Sequence, residues 1–219
     1  MSRRLRVLSF CLLVLCACQR SQPHYIASPA ERLQDSLRHR KAAALGDSAQ
    51  QFLQNGCIIL RRGNDAISGM FAQLNTHNQT FSHCGIVFKE NNHWMVFHSI
   101  GGEDNPDAKL RRETFEQFIN LDHNQAFGIC CYPMADTTVQ TLQQIVHTFY
   151  QQQKPFDMSF DLKTNERFYC AEMVYKAFQQ ALHEDHFFET TKLGGFEYVS
   201  TDNLFVHPKA QLQCHVEYP

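Results

Sequence analysis

Residues 167–182 read Arg-Phe-Tyr-Cys-Ala-Glu-Met-Val-Tyr-Lys-Ala-Phe-Gln-Gln-Ala-Leu, and this stretch decides the fold. Its apolar side chains recur at helical spacing, which predicts an amphipathic helix with Cys170 in its first turn. Lowering the pKa of a thiol from about 8.5 to about 6 takes roughly 3 kcal/mol of differential stabilisation. A helix N-terminus contributes only about 0.3–2 kcal/mol. A reactive Cys170 therefore needs a cationic or basic neighbour as well.

A β-hairpin is predicted upstream of that helix. Two β-rich runs, residues 81–88 and 94–100, flank a polar segment at 89–93 that contains two asparagines. Asparagine tolerates the left-handed backbone conformations that tight turns require. We predict a register in which Phe88 faces His93 across the hairpin.

That register places two histidines directly opposite each other, His83 on the first strand and His98 on the second. Opposed residues lie on the same face of a sheet, so one imidazole can hydrogen-bond the other and select its tautomer. The pattern therefore predicts His83 as a base and His98 as the residue that orients it. Gly85 lies on that face too, and is predicted to leave room for the helix that carries Cys170.

The rest of the chain alternates between helical and strand-like segments. Helices are predicted from Ser28 with a break at 46–48, from about Asp65 with Ile67, Met70, Phe71 and Leu74 as core residues, at 114–119 and from Asp136. Strands are predicted at 57–60, 127–132 and 211–218. The expected fold class is α+β, with an antiparallel sheet or partial barrel packed against helices and the nucleophile at a helix N-terminus.

The composition is that of a globular protein. Hydrophobic residues make up 43% of the chain, and 20 basic side chains are nearly balanced by 22 acidic ones. Such a balance provides no field that attracts phosphate backbones, so nucleic acid is not an expected partner.

The N-terminus carries an export pattern. A basic start at residues 2–6 precedes an apolar run at 7–17 that is too short to span a bilayer. The run ends Leu15-Cys16-Ala17-Cys18, which resembles a bacterial lipobox. We expect residues 1–17 to be a signal peptide and Cys18 to carry the lipid.

The export pattern sets the first of the predicted domain boundaries and the predicted location. Residues 18–30 are expected to form the lipid anchor and tether, 31–54 a helical segment, and 55–219 the hydrolase domain. Gln19 follows the lipid-bearing residue, which by the usual sorting rule favours the outer membrane, with the domain facing the periplasm.

The cysteines leave an alternative open. Six remain besides Cys18 once the signal peptide is removed, and an even number in an oxidising compartment permits a disulfide framework. Cys170 would then be structural and the protein a non-catalytic envelope binding protein. No cysteine or histidine spacing is typical of zinc, so neither a metal nor another cofactor is predicted.

Four blocks carry a family resemblance: Gly56-Cys57-Ile58-Ile59-Leu60, Phe81-Ser82-His83-Cys84-Gly85-Ile86-Val87, Lys154-Pro155-Phe156-Asp157 and Phe168-Tyr169-Cys170-Ala171-Glu172-Met173-Val174. Together they resemble the circularly permuted papain-like amidases of the YiiX and YaeF kind, within the NlpC-type superfamily. The likeness extends over roughly residues 55–218. The histidine strand precedes the cysteine helix here, whereas unpermuted relatives have the opposite order; a triad is recognised by roles rather than chain order.

The resemblance implies a papain-like form of the α+β fold and a role for each matching position. Cys170 is the expected nucleophile, His83 the general base, and His98 the third polar residue of the triad. Tyr169 is expected to border the oxyanion site.

Three positions depart from the family pattern. Cys57 stands where an Asp is usual, Ala171 where a Ser is common, and His98 where close relatives often have an acid. A neutral histidine stabilises an imidazolium less than a carboxylate does, which suggests a weaker triad.

The sequence thus predicts an envelope-anchored cysteine hydrolase of the amidase or peptidase type. Its substrate would be a small molecule or peptide with an amide or ester bond, for example a cell-wall peptide or an N-acyl amino acid. A lipid thioesterase or acyltransferase of the same fold is an open alternative, and the oligomeric state is undetermined.

Overall fold

The computed structural model describes residues 26–102 and 105–219. The chain divides into two compact units, residues 1–37 and 38–219, and the first is described only over residues 26–37. The predicted signal peptide and lipid-bearing Cys18 lie outside the described residues and stay predictions. Within the described ranges, no helix has both the length and the apolar character needed to cross a bilayer.

Helix α1 spans Pro29–Ala49 and is continuous, so the predicted break at 46–48 is wrong. It begins with a capping box, in which Ser28 N–H donates to Glu31 at 2.7 Å and Glu31 N–H donates to Ser28 Oγ at 3.3 Å. A β-carbon at Gly46 would lie 3.0 Å from Ile119 Cδ1. This glycine therefore allows a close helix contact rather than ending the helix.

Six antiparallel strands form the main sheet, in the order β4-β3-β2-β1-β5-β8. They are β1 (Ile58–Gly63), β2 (His83–Glu90), β3 (His93–His98), β4 (Arg111–Thr114), β5 (Asn124–Cys131) and β8 (Gln211–Glu217). Strands β6 (Thr191–Leu193) and β7 (Phe196–Tyr198) form a separate hairpin. The expected antiparallel sheet is confirmed, and β4 is a strand that the sequence did not predict.

Helices cover both faces of the sheet. Besides α1 they are α2 (Ala66–Gln73), α3 (Phe115–Phe118), α4 (Asp136–Gln151) and α5 (Cys170–Leu182). Helices α4 and α5 pack on the face that carries Ile86, whereas α3 and the end of α1 pack on the face that carries Val87. Because both faces are buried, β2 is almost continuously apolar instead of alternating.

The β2–β3 hairpin is present, but its predicted register is wrong by two residues. Phe88 pairs with Met95, and the ladder continues to Glu90 opposite His93. Asn91 and Asn92 both have positive φ, at 48° and 67°, and form a two-residue turn. A shift by two preserves which face each side chain occupies, so the histidines still share a face.

A disulfide joins the neighbouring strands β1 and β5 on the α1 side. Cys57, just before β1, is bonded to Cys131 at the end of β5. Cys84, Cys130, Cys170 and Cys214 are free thiols. The described cysteines therefore do not form the disulfide framework of the alternative interpretation.

Candidate active site

A cleft of about 650 Å³ opens at the end of the sheet where β1 finishes and β2 begins. Cys170, the first residue of α5, lines this cleft together with His83, the first residue of β2. Two parts of the chain far apart in sequence thus bring the predicted nucleophile and the predicted base to one cavity.

The surroundings of Cys170 favour its thiolate. The pKa of Cys170 is lowered, and the largest cause is hydrogen bonding by the Cys84 thiol. Burial acts in the opposite direction and raises this pKa. The backbone N–H groups of Ala171 and Cys84 and the charge of Arg61 lower it further. Arg61 lies on β1, where its Cζ stacks 4.5 Å from the Phe118 ring centroid and its Nη1 donates to the Phe118 carbonyl at 3.0 Å. The cation that acidifies the thiol is thus an arginine.

His83 and His98 are in direct contact. Nε2 of His83 lies 2.9 Å from Nδ1 of His98, so the hydrogen bond predicted between the imidazoles is present despite the shifted register. Burial, followed by Arg61, His98 and Arg111, holds the pKa of His83 well below its ordinary value. His83 is therefore a neutral imidazole at neutral pH, the form that accepts a proton.

A third group, Glu113 on β4, completes the chain of contacts. Its Oε1 lies 3.1 Å from Nε2 of His98, although the ring N–H does not point straight at this oxygen. Burial alone would raise the pKa of Glu113, but its contact with His98 and the charges of Arg61 and Arg111 outweigh it and lower that pKa. An ionised carboxylate is thus next to His98.

The carboxylate determines where the hydrogens lie. With Glu113 ionised, the hydrogen of His98 belongs on Nε2, so its Nδ1 accepts from Nε2–H of His83. Nδ1 of His83 is then left unprotonated. In the part of the chain that the structure describes, no hydrogen bond joins Cys170 to His83. Catalytic contacts of this kind commonly tighten only when substrate is bound.

Sequence reasoning missed Glu113. It lies in Arg111-Arg112-Glu113-Thr114, four polar residues without the apolar alternation that predicts a strand. Only its pairing with β3, where Val96 is opposite Glu113, places it diagonal to His98. An acidic side chain, absent at position 98 itself, therefore lies beside His98 from the next strand.

Gly85 has another role than the one predicted. A β-carbon there would lie 2.9 Å from Cβ of His98 and 2.7 Å from the Phe97 carbonyl oxygen. Its face of the sheet is opposite to the one on which α5 packs. The glycine makes room for His98, not for the helix that carries Cys170.

Tyr169 lines the cleft directly before the nucleophile helix. Its hydroxyl accepts a hydrogen bond from Val199 N–H at 2.8 Å, and its ring centroid lies 5.3 Å from that of Phe160. The hydroxyl thus holds the segment at Val199 against the start of α5. A role of Tyr169 at the oxyanion site stays a prediction.

The cleft has a charged group and an apolar group of lining residues. The charged group contains Arg61, Asp65, Arg111 and Glu113, and the apolar group contains Ile67, Phe71, Leu74, Phe156 and Phe160. Three α2-region residues predicted for the core, Ile67, Met70 and Leu74, are instead 63%, 67% and 41% exposed. Helix α2 therefore forms part of the cleft wall instead of packing in the core.

The comparisons with known proteins bear on this cleft and its fold. Residues 52–204 match the family described as permuted papain-like amidase enzymes, YaeF/YiiX, C92 family. The chain belongs to this family. Membership makes it a papain-like enzyme of the amidase or peptidase type, and the match includes Cys170, His83, His98 and Glu113.

A solved structure shows the same permuted papain-like fold. It is that of yiiX from Escherichia coli O157:H7, described as a metalloprotein, with a TM-score of 0.61 and 23% sequence identity. The similarity covers 76% of this chain and 98% of that one. The comparison with curated proteins found no significant match. Among the described residues of this C92-family chain, no cluster of three or more His, Cys, Asp or Glu side chains is arranged to hold a metal ion.

A buried contact between Glu172 and Lys176 braces the nucleophile helix of this family member. Glu172 is fully buried, with Oε1 3.2 Å from Lys176 Nζ, and Lys176 also donates to Leu162 O at 3.1 Å and Asn165 Oδ1 at 2.9 Å. The pair thereby ties α5 to the loop that precedes it. Burial raises the pKa of Glu172 to about 8, despite the opposing contact with Lys176.

A pH dependence of stability follows from Glu172. Its folded pKa lies above the unfolded value of about 4.3, so the folded state binds the extra proton between pH ~4.3 and about 8. Stability from this group is complete below pH ~4.3 and decreases as the pH rises, by at most about 1.4 kcal/mol per pH unit. Denaturant unfolding across this range should show a shallower decrease for Glu172→Gln than for the wild type. Equal slopes would contradict the assignment.

Cys84 should control the acidity of Cys170. Cys84→Ala removes the largest acidifying hydrogen bond, so the pKa of Cys170 should rise towards that of an ordinary thiol. The measurement is the iodoacetamide alkylation rate of Cys170 as a function of pH, resolved by peptide mass spectrometry. Cys214→Ala, on the remote strand β8, is the control and should leave the midpoint unchanged.

Proposed function

We propose that the chain hydrolyses an amide bond through nucleophilic attack by Cys170, with His83 as general base. His98 orients the His83 ring, and the Glu113 carboxylate stabilises the positive charge that develops on the two imidazoles. The observation that carries this proposal is the chain of contacts from Glu113 through His98 to His83, which ends in the cleft that also holds the free Cys170 thiol.

The proposed reaction has two stages. In the first, Nδ1 of His83 accepts the Cys170 proton and the thiolate attacks the carbonyl carbon; the protonated His83 then donates to the leaving amine. In the second, His83 accepts a proton from water, which attacks the thioester and releases the acid. Backbone N–H groups at the start of α5 would hold the oxyanion, with Tyr169 at its border.

The cleft supports an asymmetric substrate. The arginines Arg61 and Arg111 suit an acidic group, whereas the aromatic wall around Phe156 and Phe160 suits an apolar one. An N-acyl amino acid has both features, and a cell-wall peptide has the acidic one. The apolar wall equally favours a fatty acyl ester, so a thioesterase or acyltransferase is the second candidate.

An envelope location is part of the same proposal. It rests on the export pattern and on Cys18, with the outer membrane and the periplasmic side as the expected place. The Cys57–Cys131 disulfide suits an oxidising compartment. The rival, a non-catalytic binding protein, needs Cys170 in a disulfide, and the free thiol argues against it.

Trapping an acyl group on Cys170 tests the proposed function. Incubation with a p-nitrophenyl acyl ester, followed by acid quenching and peptide mass spectrometry, should reveal an acyl thioester on Cys170. Cys170→Ala should release no burst of nitrophenol and carry no acyl group on that peptide. Equal acylation of Cys214, or none at Cys170, would refute the proposal.

A further inference from the structure

Two free thiols, Cys84 and Cys170, lie against the same core cluster beside the cleft. Cys84 follows His83 in β2 and is fully buried in the core cluster, and Cys170 packs against that same cluster. Strand β2 and helix α5 are in contact, and Cys84 is the neighbour with the largest effect on the pKa of the Cys170 thiol. The two remaining free thiols occupy different places, Cys130 on β5 and Cys214 on β8.

The two thiols differ in accessibility and acidity. Cys170 lines the cleft, and its pKa is lowered. Cys84 has no exposed surface, and burial together with the neighbouring Cys170 raises its pKa well above the ordinary value. Oxidants attack the thiolate that they can reach, and a nearby thiol then resolves the oxidised sulfur. Cys170 therefore suits the first role and Cys84 the second.

We propose that Cys84 and Cys170 form a reversible disulfide when a hydroperoxide oxidises the nucleophile. This goes beyond the proposed hydrolysis, in which Cys84 forms no bond. It makes the active site a site of oxidative modification, with hydrogen peroxide as the small oxidant that the cleft admits.

The chemistry balances in two steps. The Cys170 thiolate attacks one oxygen of the peroxide, the O–O bond breaks, and sulfenic acid forms on Cys170 while the departing oxygen takes a proton. The Cys84 sulfur then attacks the sulfenic sulfur, and the S–O bond breaks. The departing hydroxide takes the proton of Cys84 and leaves as water. Two thiols are oxidised to one disulfide, and one hydrogen peroxide is reduced to two waters.

The disulfide would protect the nucleophile while blocking it. Without a resolving thiol, sulfenic acid proceeds to sulfinic and sulfonic acids, and reducing agents do not reverse those steps. With Cys84 in place, the oxidised site returns to two thiols when a dithiol reduces it. Hydrolysis should stop during oxidation and recover after reduction.

Peptide mapping of the full chain tests the proposal. The wild type is treated with graded hydrogen peroxide, remaining thiols are alkylated, and non-reduced peptides are analysed by mass spectrometry. A peptide pair linked through Cys84 and Cys170 should appear as iodoacetamide labelling of Cys170 disappears. Dithiothreitol should restore that labelling. Oxidation of Cys170 to sulfinic acid with no such linked pair would overturn the proposal.

Matched variants make the test independent of turnover. Cys84→Ala and Cys84→Ser should lose Cys170 labelling irreversibly, whereas Cys214→Ala should recover with dithiothreitol as the wild type does. Full recovery of Cys170 labelling by dithiothreitol in both Cys84 variants would overturn the proposal. Since the readout is the state of the thiols, a protein that forms the linked pair but hydrolyses nothing would refute only the hydrolase function.

Discussion

His83→Ala is expected to lower steady-state hydrolysis by about 10²–10⁴-fold, the usual contribution of a positioned general base. Nδ1 of His83 is the ring nitrogen left unprotonated by the contacts with His98, and both stages of the proposed reaction pass a proton through it. Arg61 and Cys84 still acidify Cys170 in this variant. The rate of acylation by an activated ester should therefore decrease less than the rate at which the acyl group is released. The measurement compares the burst and steady-state rates of nitrophenol release.

His98→Ala is the matched variant for that prediction. It removes the residue that selects the tautomer of His83 but leaves the base itself, so its steady-state rate should lie between those of the wild type and His83→Ala. An equal or larger loss in His98→Ala would contradict the assignment of base and orienting residue.

Glu113→Gln is expected to lower the steady-state rate by roughly tenfold, corresponding to a loss of about one pKa unit of imidazolium stabilisation. The glutamine oxygen can still face Nε2 of His98, at the position now 3.1 Å away, but it carries no charge. The variant should also move the acidic limb of the kcat/KM profile to lower pH, because a histidine chain without its anion loses its proton more easily. The pH–rate profiles of wild type and variant provide the measurement.

Glu113→Ala and Glu113→Asp separate charge from structure. The Asp variant keeps the charge and should recover part of the rate, whereas the Ala variant should lose more than Gln because it removes the acceptor oxygen too. A Gln variant with the wild-type rate and pH profile would show that Glu113 does not act on the histidines.

The sequence predicted what depends on periodicity and side-chain type. Helical spacing located Cys170 at a helix start, and alternation located the hairpin. The register was wrong by two, because the turn was taken as longer than the Asn91–Asn92 pair that the left-handed conformations allow. The contact between His83 and His98 survived, since an even shift preserves the face.

The neighbours of Glu113, Cys84 and Ile67 depend on tertiary packing, which the local sequence pattern does not predict. Glu113 reaches His98 only through pairing of a short polar strand, and Cys84 reaches Cys170 only because α5 packs against β2. Exposure of Ile67 depends on α2 lying at a cleft instead of over the core. Helical spacing identifies an apolar stripe but not what covers it.

The reactivity of Cys170 at pH 6–7 tests the central claim most directly. Site-resolved alkylation by iodoacetamide compares Cys170 with free cysteine and with Cys214 in the same protein. The lowered pKa of Cys170 predicts faster alkylation than either reference thiol, and a rate midpoint below that of free cysteine. Alkylation no faster than that of free cysteine, or Cys170 held in a disulfide after mild reduction, would contradict its role as an activated nucleophile.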